Sequence, residues 1–326
     1  MKIAIFGAGA IGSYLAVRLH QAGAELSIIA RGAHLQAIRA NGLMLVSEGK
    51  RVVVHPFATE KASQAGVQDY VFVTLKAHTL PAAARDIATL LGPNTALITA
   101  MNGVPYWYFY GAPCPWRDRP IQTVDPGGAL WRTLPPKHAI GCVVYPWAEM
   151  LSPGVVEQST SNRLVIGEPD GCFSARIQTL AHLMRQGGLD APVTANIRDD
   201  LWLKLWGNLS MNPISALTGA TIDRLAFDPG LRAVSRAMMI EAKELADALG
   251  IHLSMDVEAR IDLAAVAGPR KTSMLQDFEH GKPLEIEPLL GAVVELADLT
   301  GHGLPLCRAI LALARALCPR PPIAPS

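Results

Sequence analysis

The sequence predicts an α/β chain with a parallel β-sheet in its N-terminal half and helices throughout its C-terminal half. Three observations support this prediction. Short apolar runs alternate with helical patterns in the first half, a glycine-rich turn follows the first run, and apolar positions repeat with a helical period from residue 198 onward. We therefore predict a Rossmann-type, sheet-containing domain at residues 1–190 and an all-helical domain at residues 191–326.

The elements of the first half follow from composition and turn residues. Apolar runs predict strands at 2–6, 25–30, 69–75 and 95–100. Helical patterns lie at 12–22, 33–40 and 80–91. Alternation of this kind predicts βαβ units, whose strands are parallel. Segments 42–48 and 51–56 predict a hairpin, residues 139–168 predict two or three more strands, and a helix at 174–186 with a short strand near 192–195 completes this half.

The first predicted strand runs directly into the turn Gly7-Ala8-Gly9-Ala10-Ile11-Gly12. This pattern between a strand and a helix predicts a dinucleotide-binding site. Gly7 permits the tight turn, Gly9 lets the backbone approach a pyrophosphate, and Gly12 lets helix and strand pack closely. The helix N-terminus then offers free N–H groups to the phosphates. The alternative is a glycine-rich turn without a ligand.

Arg31 follows the second predicted strand, where the type of dinucleotide is selected. Proteins that bind NAD place an acid there to hold the ribose 2′-hydroxyl. No acid lies between Ile28 and Ile38, and Arg31 can pair with a 2′-phosphate instead. We therefore expect NADP(H) as the cofactor. The alternative is a surface arginine that begins a helix.

A polar stripe crosses an otherwise apolar segment at Lys204, Asn208 and Asn212. Residues four apart lie on one face of a helix, so these side chains should line up. They form either the solvated face of a surface helix or the polar lining of a cavity. A solvated face normally carries mixed charges, whereas this stripe has one amine and two short amides between bulky apolar groups. We therefore favour a cavity.

Two further polar positions follow predicted strands. Lys76 follows the strand at 69–75, and Asn102 follows the strand at 95–100. The carboxyl ends of parallel strands meet at one edge of the sheet, where ligands bind. We therefore expect both residues near the glycine-rich turn.

Polar residues also mark helix starts in the second half. Ser273 predicts the N-cap of a helix that begins at Met274. Glu285 and Glu287 precede an apolar helix, where the helix dipole favours acids. Spacing alone does not distinguish capping from ligand binding at these positions.

Composition narrows the class of function. The chain has a net charge of +1 and no basic block, which argues against nucleic acid or an acidic membrane surface as partner. No apolar stretch is long enough to span a membrane. Five scattered cysteines without a C-x-x-C pair predict free thiols in a reducing cytoplasm and no metal site. An aromatic, proline-rich loop at 105–117 is expected to pack on its own rings, with a lid or dimer contact as the alternative.

Together these residues resemble the ketopantoate reductase (2-dehydropantoate 2-reductase) family. The resemblance spans nearly the whole chain. Its most specific parts are K-L-W-x-N-x-x-x-N-P at 204–213 and S-M-L-Q-D at 273–277, with E-I-E at 285–287. The resemblance implies reduction of a 2-keto acid by NADPH, most simply 2-dehydropantoate to pantoate. The chain departs from the family pattern at Thr79, at Arg270 and in the aromatic loop.

The resemblance also implies roles for matching positions. Lys204 would be the general acid, and Glu285 would bind the substrate hydroxyl near it. Asn208, Asn212 and Ser273 would bind the substrate. Lys76 and Asn102 would lie near the nicotinamide and the substrate. A reductase of another keto acid and a non-catalytic NADP(H) sensor are the alternatives, and the helical half is a candidate for a homodimer contact.

Overall fold

The computed structural model describes residues 1–159, 161–266 and 268–317, and the chain divides into two compact units. Unit 1 contains Met1–Met101, Pro105–Pro120 and Asp125–Ile197. Unit 2 contains Asn102–Val104, Ile121–Val124 and the chain from Arg198 onward. Two short segments from the first half therefore belong with the helical unit. The domain ranges 1–190 and 191–326 remain a prediction, which this division into compact units does not test.

Unit 1 is built on a seven-stranded sheet. Its strands are β1 (Lys2–Phe6), β2 (Glu25–Ile29), β5 (Phe57–Thr59), β6 (Tyr70–Val73), β7 (Ala96–Thr99), β8 (Ala139–Val144) and β11 (Leu164–Gly167). The spatial order is β11-β8-β7-β6-β1-β2-β5, and only β11 runs antiparallel to its neighbour. The predicted parallel sheet is confirmed. Because the strand order reverses between β1 and β6, a ligand crevice is expected at their carboxyl ends.

A second sheet of four strands packs against the first helix. It contains β3 (Leu43–Ser47), β4 (Lys50–Val54), β9 (Ala148–Ser152) and β10 (Val155–Gln158), in the order β4-β3-β10-β9. The predicted hairpin is β3 with β4. Its parallel pairing with the distant β10 has no local sequence signal. The apolar faces of β3, β9 and β10 cover helix α1 (Ala10–Gln21).

The remaining helices of unit 1 agree with the predicted ones within a few residues, and a short α4 is added. They are α2 (Gly32–Asn41), α3 (Leu80–Ala88), α4 (Ala129–Thr133) and α5 (Ala175–Gln186). The strand predicted near 192–195 is wrong, because the segment forms only an isolated bridge between Ile166 and Val193. Pro192 has no N–H to extend the ladder.

The aromatic loop at 105–117 belongs to the core of unit 1. Tyr106, Trp107, Tyr108 and Phe109 are all at most 3% exposed. The Trp107 indole donates a hydrogen bond to the Thr99 hydroxyl at 2.8 Å. Rings buried in this way do not form an exposed lid, so the loop packs on its own aromatics as expected.

Unit 2 is helical throughout its described part, as predicted. Its helices are α6 (Ile197–Thr218, whose first residue belongs to unit 1), α7 (Ile222–Phe227), α8 (Pro229–Ala248), α9 (Val257–Ala265), α10 (Ser273–Glu279), α11 (Ala292–Thr300) and α12 (Pro305–Leu317). A π-helical turn, Glu287–Gly291, leads into α11. Trp202 and Trp206 are fully buried, and the Trp206 indole donates to the Met239 carbonyl at 2.7 Å.

Two findings concern the described residues only. None of their helices combines the length and the apolar character that crossing a bilayer requires. Four of the five cysteines lie within this part of the chain and are free thiols: Cys114, Cys142, Cys172 and Cys307.

Candidate active site

The glycine-rich turn between β1 and α1 is shaped to receive a ligand. Gly7 has a φ of +105°, which side-chain-bearing residues rarely adopt. A Cβ on Gly12 would lie 2.1 Å from the Gly7 carbonyl oxygen, so α1 packs this closely only because residue 12 is glycine. A Cβ on Gly9, the N-cap of α1, would meet nothing within 4 Å. The turn therefore presents open space before a helix N-terminus, as a bound phosphate requires.

A cavity of about 820 Å³ opens at this turn, within the size range of small-molecule and cofactor sites. Its walls come from the carboxyl ends of β1 and β2, the start of α3 and the β9–β10 hairpin. The polar side chains that line it are Arg31, His34, Glu60, His78, Thr79, Asp86 and Ser152. Of the residues predicted to bind the cofactor, Gly7, Ala8 and Arg31 line this cavity.

The other predicted cofactor residues of unit 1 lie around the cavity rather than in its lining. Gly9, Ala10, Ile11 and Gly12 form the end of the turn and the start of α1. Lys76 precedes a 3₁₀ turn after β6, and the Thr79 hydroxyl donates to the Lys76 carbonyl at 2.7 Å. The threonine that departs from the family pattern therefore closes the turn that carries Lys76.

His34 is a residue of this cavity that the sequence analysis missed. Its Nδ1 accepts a hydrogen bond from the Gly154 N–H at 2.9 Å, so the neutral ring carries its proton on Nε2. Nε2 lies 3.3 Å from the Ser13 hydroxyl, which donates to the Ala8 carbonyl at 3.1 Å. Burial lowers the pKa of His34. The ring thus connects the β9–β10 hairpin to the glycine-rich turn, a link between residues too distant in the chain to leave a sequence signal.

The polar stripe in unit 2 lies on one continuous helix, α6. Lys204 and Asn208 are half-buried, and Asn212 is 6% exposed. A solvated helix face would not bury an amide in this way. The burial therefore argues against a solvated helix face, and the interpretation of the stripe as the lining of a cavity stays a prediction.

Arg260, on α9, is a second residue that the sequence analysis did not identify. A Cβ on Gly207 would lie 1.8 Å from its Nη2 atom, so the guanidinium lies directly against α6. Its Nε also approaches the Leu203 carbonyl oxygen at 3.4 Å. Residues 203 and 207 precede Lys204 and Asn208 in the chain, so Arg260 lies against the segment of α6 that carries the stripe.

The start of α10 differs from the prediction. The N-cap is Thr272 rather than Ser273, and its hydroxyl accepts a hydrogen bond from the Leu275 N–H at 3.1 Å. Ser273 is the first residue of the helix and is half-buried. Adjacent residues that both favour capping can exchange this role at no local cost. The Ser273 hydroxyl is therefore not needed as the cap.

The structure distinguishes the two neighbouring acids. Glu287 forms a two-pronged ion pair with Arg315, with both N···O distances 2.7 Å. Glu285 is 5% exposed and directly precedes the helical stretch that leads into the π-helical turn. π-Helical turns are often found at functional sites. Glu287 thus has an ion-pair partner on α12, and Glu285 is a buried acid two residues before Glu287.

Asn102 belongs to unit 2, so the expectation that it lies near the glycine-rich turn stays a prediction. The residues after it pack against the turn that follows Glu285. Gly103 has a φ of +89°, and a Cβ there would lie 2.5 Å from the Pro288 carbonyl oxygen. The Val104 N–H donates to that oxygen at 2.8 Å. The structure thus joins the segments that contain Asn102 and Glu285.

The parallel sheet with a glycine-rich turn and a cofactor-sized cavity at its carboxyl edge is typical of a dinucleotide-binding protein. Comparison with known families identifies it further. Residues 3–171 match the family model "Ketopantoate reductase PanE/ApbA", and residues 196–317 match "Ketopantoate reductase PanE/ApbA C terminal".

Individual relatives agree with the family models. The chain is 49% identical to a 2-dehydropantoate 2-reductase from Mesorhizobium japonicum, over 97% of this chain and 98% of the relative. A crystal structure of a candidate ketopantoate reductase from Ralstonia solanacearum is 41% identical, with a TM-score of 0.92 and 97% of each chain covered. A ketopantoate reductase structure from Ralstonia eutropha is 31% identical, with a TM-score of 0.83, and covers 97% of this chain and 98% of that one.

The chain therefore belongs to the ketopantoate reductase family, and the resemblance inferred from its motifs is confirmed. It is an oxidoreductase that acts on a CH–OH group, in a family that depends on NAD(P)H. The roles of the individual site residues stay predictions.

Proposed function

We propose that this protein reduces 2-dehydropantoate to pantoate with NADPH, and that Lys204 is the general acid. The observation that carries the proposal is the family motif at 204–213, which forms one helix with Lys204 and Asn208 half-buried and Asn212 buried. The half-buried Lys204 ammonium has limited exposure to water, which suits a positioned proton donor.

The glycine-rich turn and the cavity beside it fit a dinucleotide. The turn would hold the pyrophosphate at the N-terminus of α1, and Arg31 would pair with the 2′-phosphate of the adenosine ribose. When bound, NADPH supplies the hydride that reduces the ketone carbon. Lys76 and Asn102 would contact the nicotinamide end.

Reduction of the ketone leaves negative charge on its oxygen, which needs a proton. The Lys204 ammonium would stabilise that charge and donate the proton. The carboxylate of Glu285 would accept a hydrogen bond from the substrate hydroxyl. Asn208, Asn212 and Ser273 would hold the remaining polar groups of the substrate, and Ser273 has a hydroxyl that helix capping does not use.

The proposal is tested by following NADPH oxidation with 2-dehydropantoate and with a panel of other 2-keto acids that differ in the bulk and polarity of the side chain. We expect 2-dehydropantoate to have the highest kcat/KM. A higher value for another acid would replace the substrate and leave the reaction class intact. Absence of turnover with every 2-keto acid, together with tight NADPH binding, would favour the alternative of a non-catalytic NADP(H) sensor.

We also propose a preference for NADPH over NADH, because a charge-assisted hydrogen bond to a phosphate is worth about tenfold to a hundredfold in affinity. Replacing Arg31 with alanine should remove most of this preference. Equal loss of NADH and NADPH affinity in Arg31→Ala would contradict the assignment. A homodimer in solution is a further prediction, which light scattering coupled to size-exclusion chromatography can test.

A further inference from the structure

Arg31 and Glu60 emerge from neighbouring strands at the same edge of the sheet. Ile29 of β2 pairs with Thr59 of β5, and the Ala30 N–H donates to the Thr59 carbonyl oxygen at 3.0 Å. Glu60 is therefore the first residue beyond β5, level with the end of β2. Both side chains are exposed, and both line the 820 Å³ cavity.

This placement changes how the end of β2 is understood. The segment from Ile28 to Ile38 contains no acid, and this absence is the reason to expect NADP(H). The fold supplies a carboxylate to the same cavity from the adjacent strand. Within residues 1–159, 161–266 and 268–317, the structure pairs neither Arg31 nor Glu60 with an opposite charge, so both charged groups are available to a ligand.

The wall around these two residues is held in place. His34 lies one helical turn after Arg31 and accepts the hydrogen bond from the Gly154 N–H. The neighbouring hairpin residues Ser152 and Pro153 line the same cavity. This arrangement forms a defined subsite beyond the glycine-rich turn, where the adenosine half of a dinucleotide lies in Rossmann-type domains.

We propose that Glu60 is a specificity-determining residue, whose carboxylate accepts hydrogen bonds from the adenosine ribose 2′- and 3′-hydroxyls of NADH. The proposal rests on the proposed function, since it concerns the same cofactor site. Arg31 favours the 2′-phosphate of NADPH, whereas the Glu60 carboxylate repels that phosphate and favours a hydroxyl in its place. The cavity therefore binds both cofactors, and the ratio of NADPH to NADH affinity is smaller than Arg31 alone would give.

The test compares Glu60→Gln and Glu60→Ala with the unmodified protein and with Glu25→Gln. Glu25 is an exposed acid at the opposite end of β2, so it controls for the change in net charge. Dissociation constants for NADH and NADPH are measured by fluorescence titration, and KM and kcat are measured with each cofactor. Thermal midpoints verify that the variants fold.

Both Glu60 variants should bind NADH about tenfold more weakly, because a charge-assisted hydrogen bond is lost. NADPH binding should stay the same or become a few-fold tighter, and kcat should not change with either cofactor. Glu25→Gln should leave both dissociation constants unchanged.

A parallel change for the two cofactors, or no change in either, would overturn the role of Glu60. If Arg31→Ala still alters the ratio of NADPH to NADH affinity in that case, the proposed function survives and only the present inference fails. An unmodified protein that binds neither dinucleotide would overturn both.

Discussion

The Val104 backbone amide donates a hydrogen bond to the Pro288 carbonyl oxygen at 2.8 Å, and Gly103 lies against the same proline. This contact connects the segment after Asn102 to the π-helical turn that follows Glu285. The family resemblance assigns both Asn102 and Glu285 to the site. Their separation therefore depends on a backbone contact that only glycine at position 103 permits.

Replacing Gly103 with alanine should destabilise the protein by about 2–4 kcal/mol. The φ of +89° is strained for alanine, and the new Cβ would lie 2.5 Å from the Pro288 carbonyl oxygen. Chemical denaturation measures the change. Gly301→Ala is the matched control, because Gly301 also has a positive φ, of +71°, but has no atom within 4 Å of its Cβ position. Equal losses in the two variants would show that the contact with Pro288 contributes nothing.

Lys204→Ala should lower kcat by about 10²–10⁴, the usual range for a positioned proton donor. The thermal midpoint and NADPH affinity should change little. Lys204→Arg should not restore activity, because a guanidinium gives up its proton poorly and has a different shape. Lys243→Ala, which removes a lysine whose side chain is 43% exposed and pairs with Asp247, should leave kcat unchanged. An active Lys204→Ala variant would show that another group donates the proton.

The two neighbouring acids allow a second matched comparison. Glu285→Gln should raise KM for the keto acid and lower kcat, since it neutralises the buried carboxylate that we propose binds the substrate hydroxyl. Glu287→Gln should keep both constants and lose at most about 1 kcal/mol of stability, because its pair with Arg315 is substantially exposed. Steady-state kinetics and denaturation separate the two variants. A kinetic defect in Glu287→Gln alone would reverse the assignment.

His34 should make the stability of the protein depend on pH. Burial lowers its pKa in the folded chain, whereas the unfolded chain keeps a value of about 6.5. As the pH falls below that value, the unfolded chain binds the proton before the folded chain does. The free energy of unfolding therefore decreases until the pH reaches the lower pKa of the folded chain. Above about pH 6.5 this contribution is fully present.

His34→Asn offers an acceptor for the Gly154 N–H that does not titrate, and it should flatten this loss. Thermal midpoints are measured from about pH 8 down to about pH 5, a range that brackets the ordinary histidine pKa of about 6.5. The control variant is His55→Asn, because His55 is exposed. An identical pH dependence in His34→Asn and the unmodified protein would assign the loss to other groups.

Local sequence determines much of this molecule. The glycine-rich turn, the alternation of strands and helices and the helical second half follow from turn chemistry and apolar periodicity, both of which act over a few residues. The stripe of Lys204, Asn208 and Asn212 was predictable for the same reason, because helical spacing alone aligns the three side chains. The family motifs then identify the class of enzyme.

Tertiary structure decides which residues meet. The segment from Ile28 to Ile38 contains no acid, yet the pairing of β2 with β5 brings Glu60 to the cavity that Arg31 also lines. Spacing does not distinguish Glu285 from Glu287, and only the tertiary structure shows that Glu287 pairs with Arg315 on α12 while Glu285 is 5% exposed. The Gly154 N–H reaches His34 from a hairpin more than a hundred residues further along the chain. Such contacts depend on how distant elements pack, and no periodicity within one element encodes its partner.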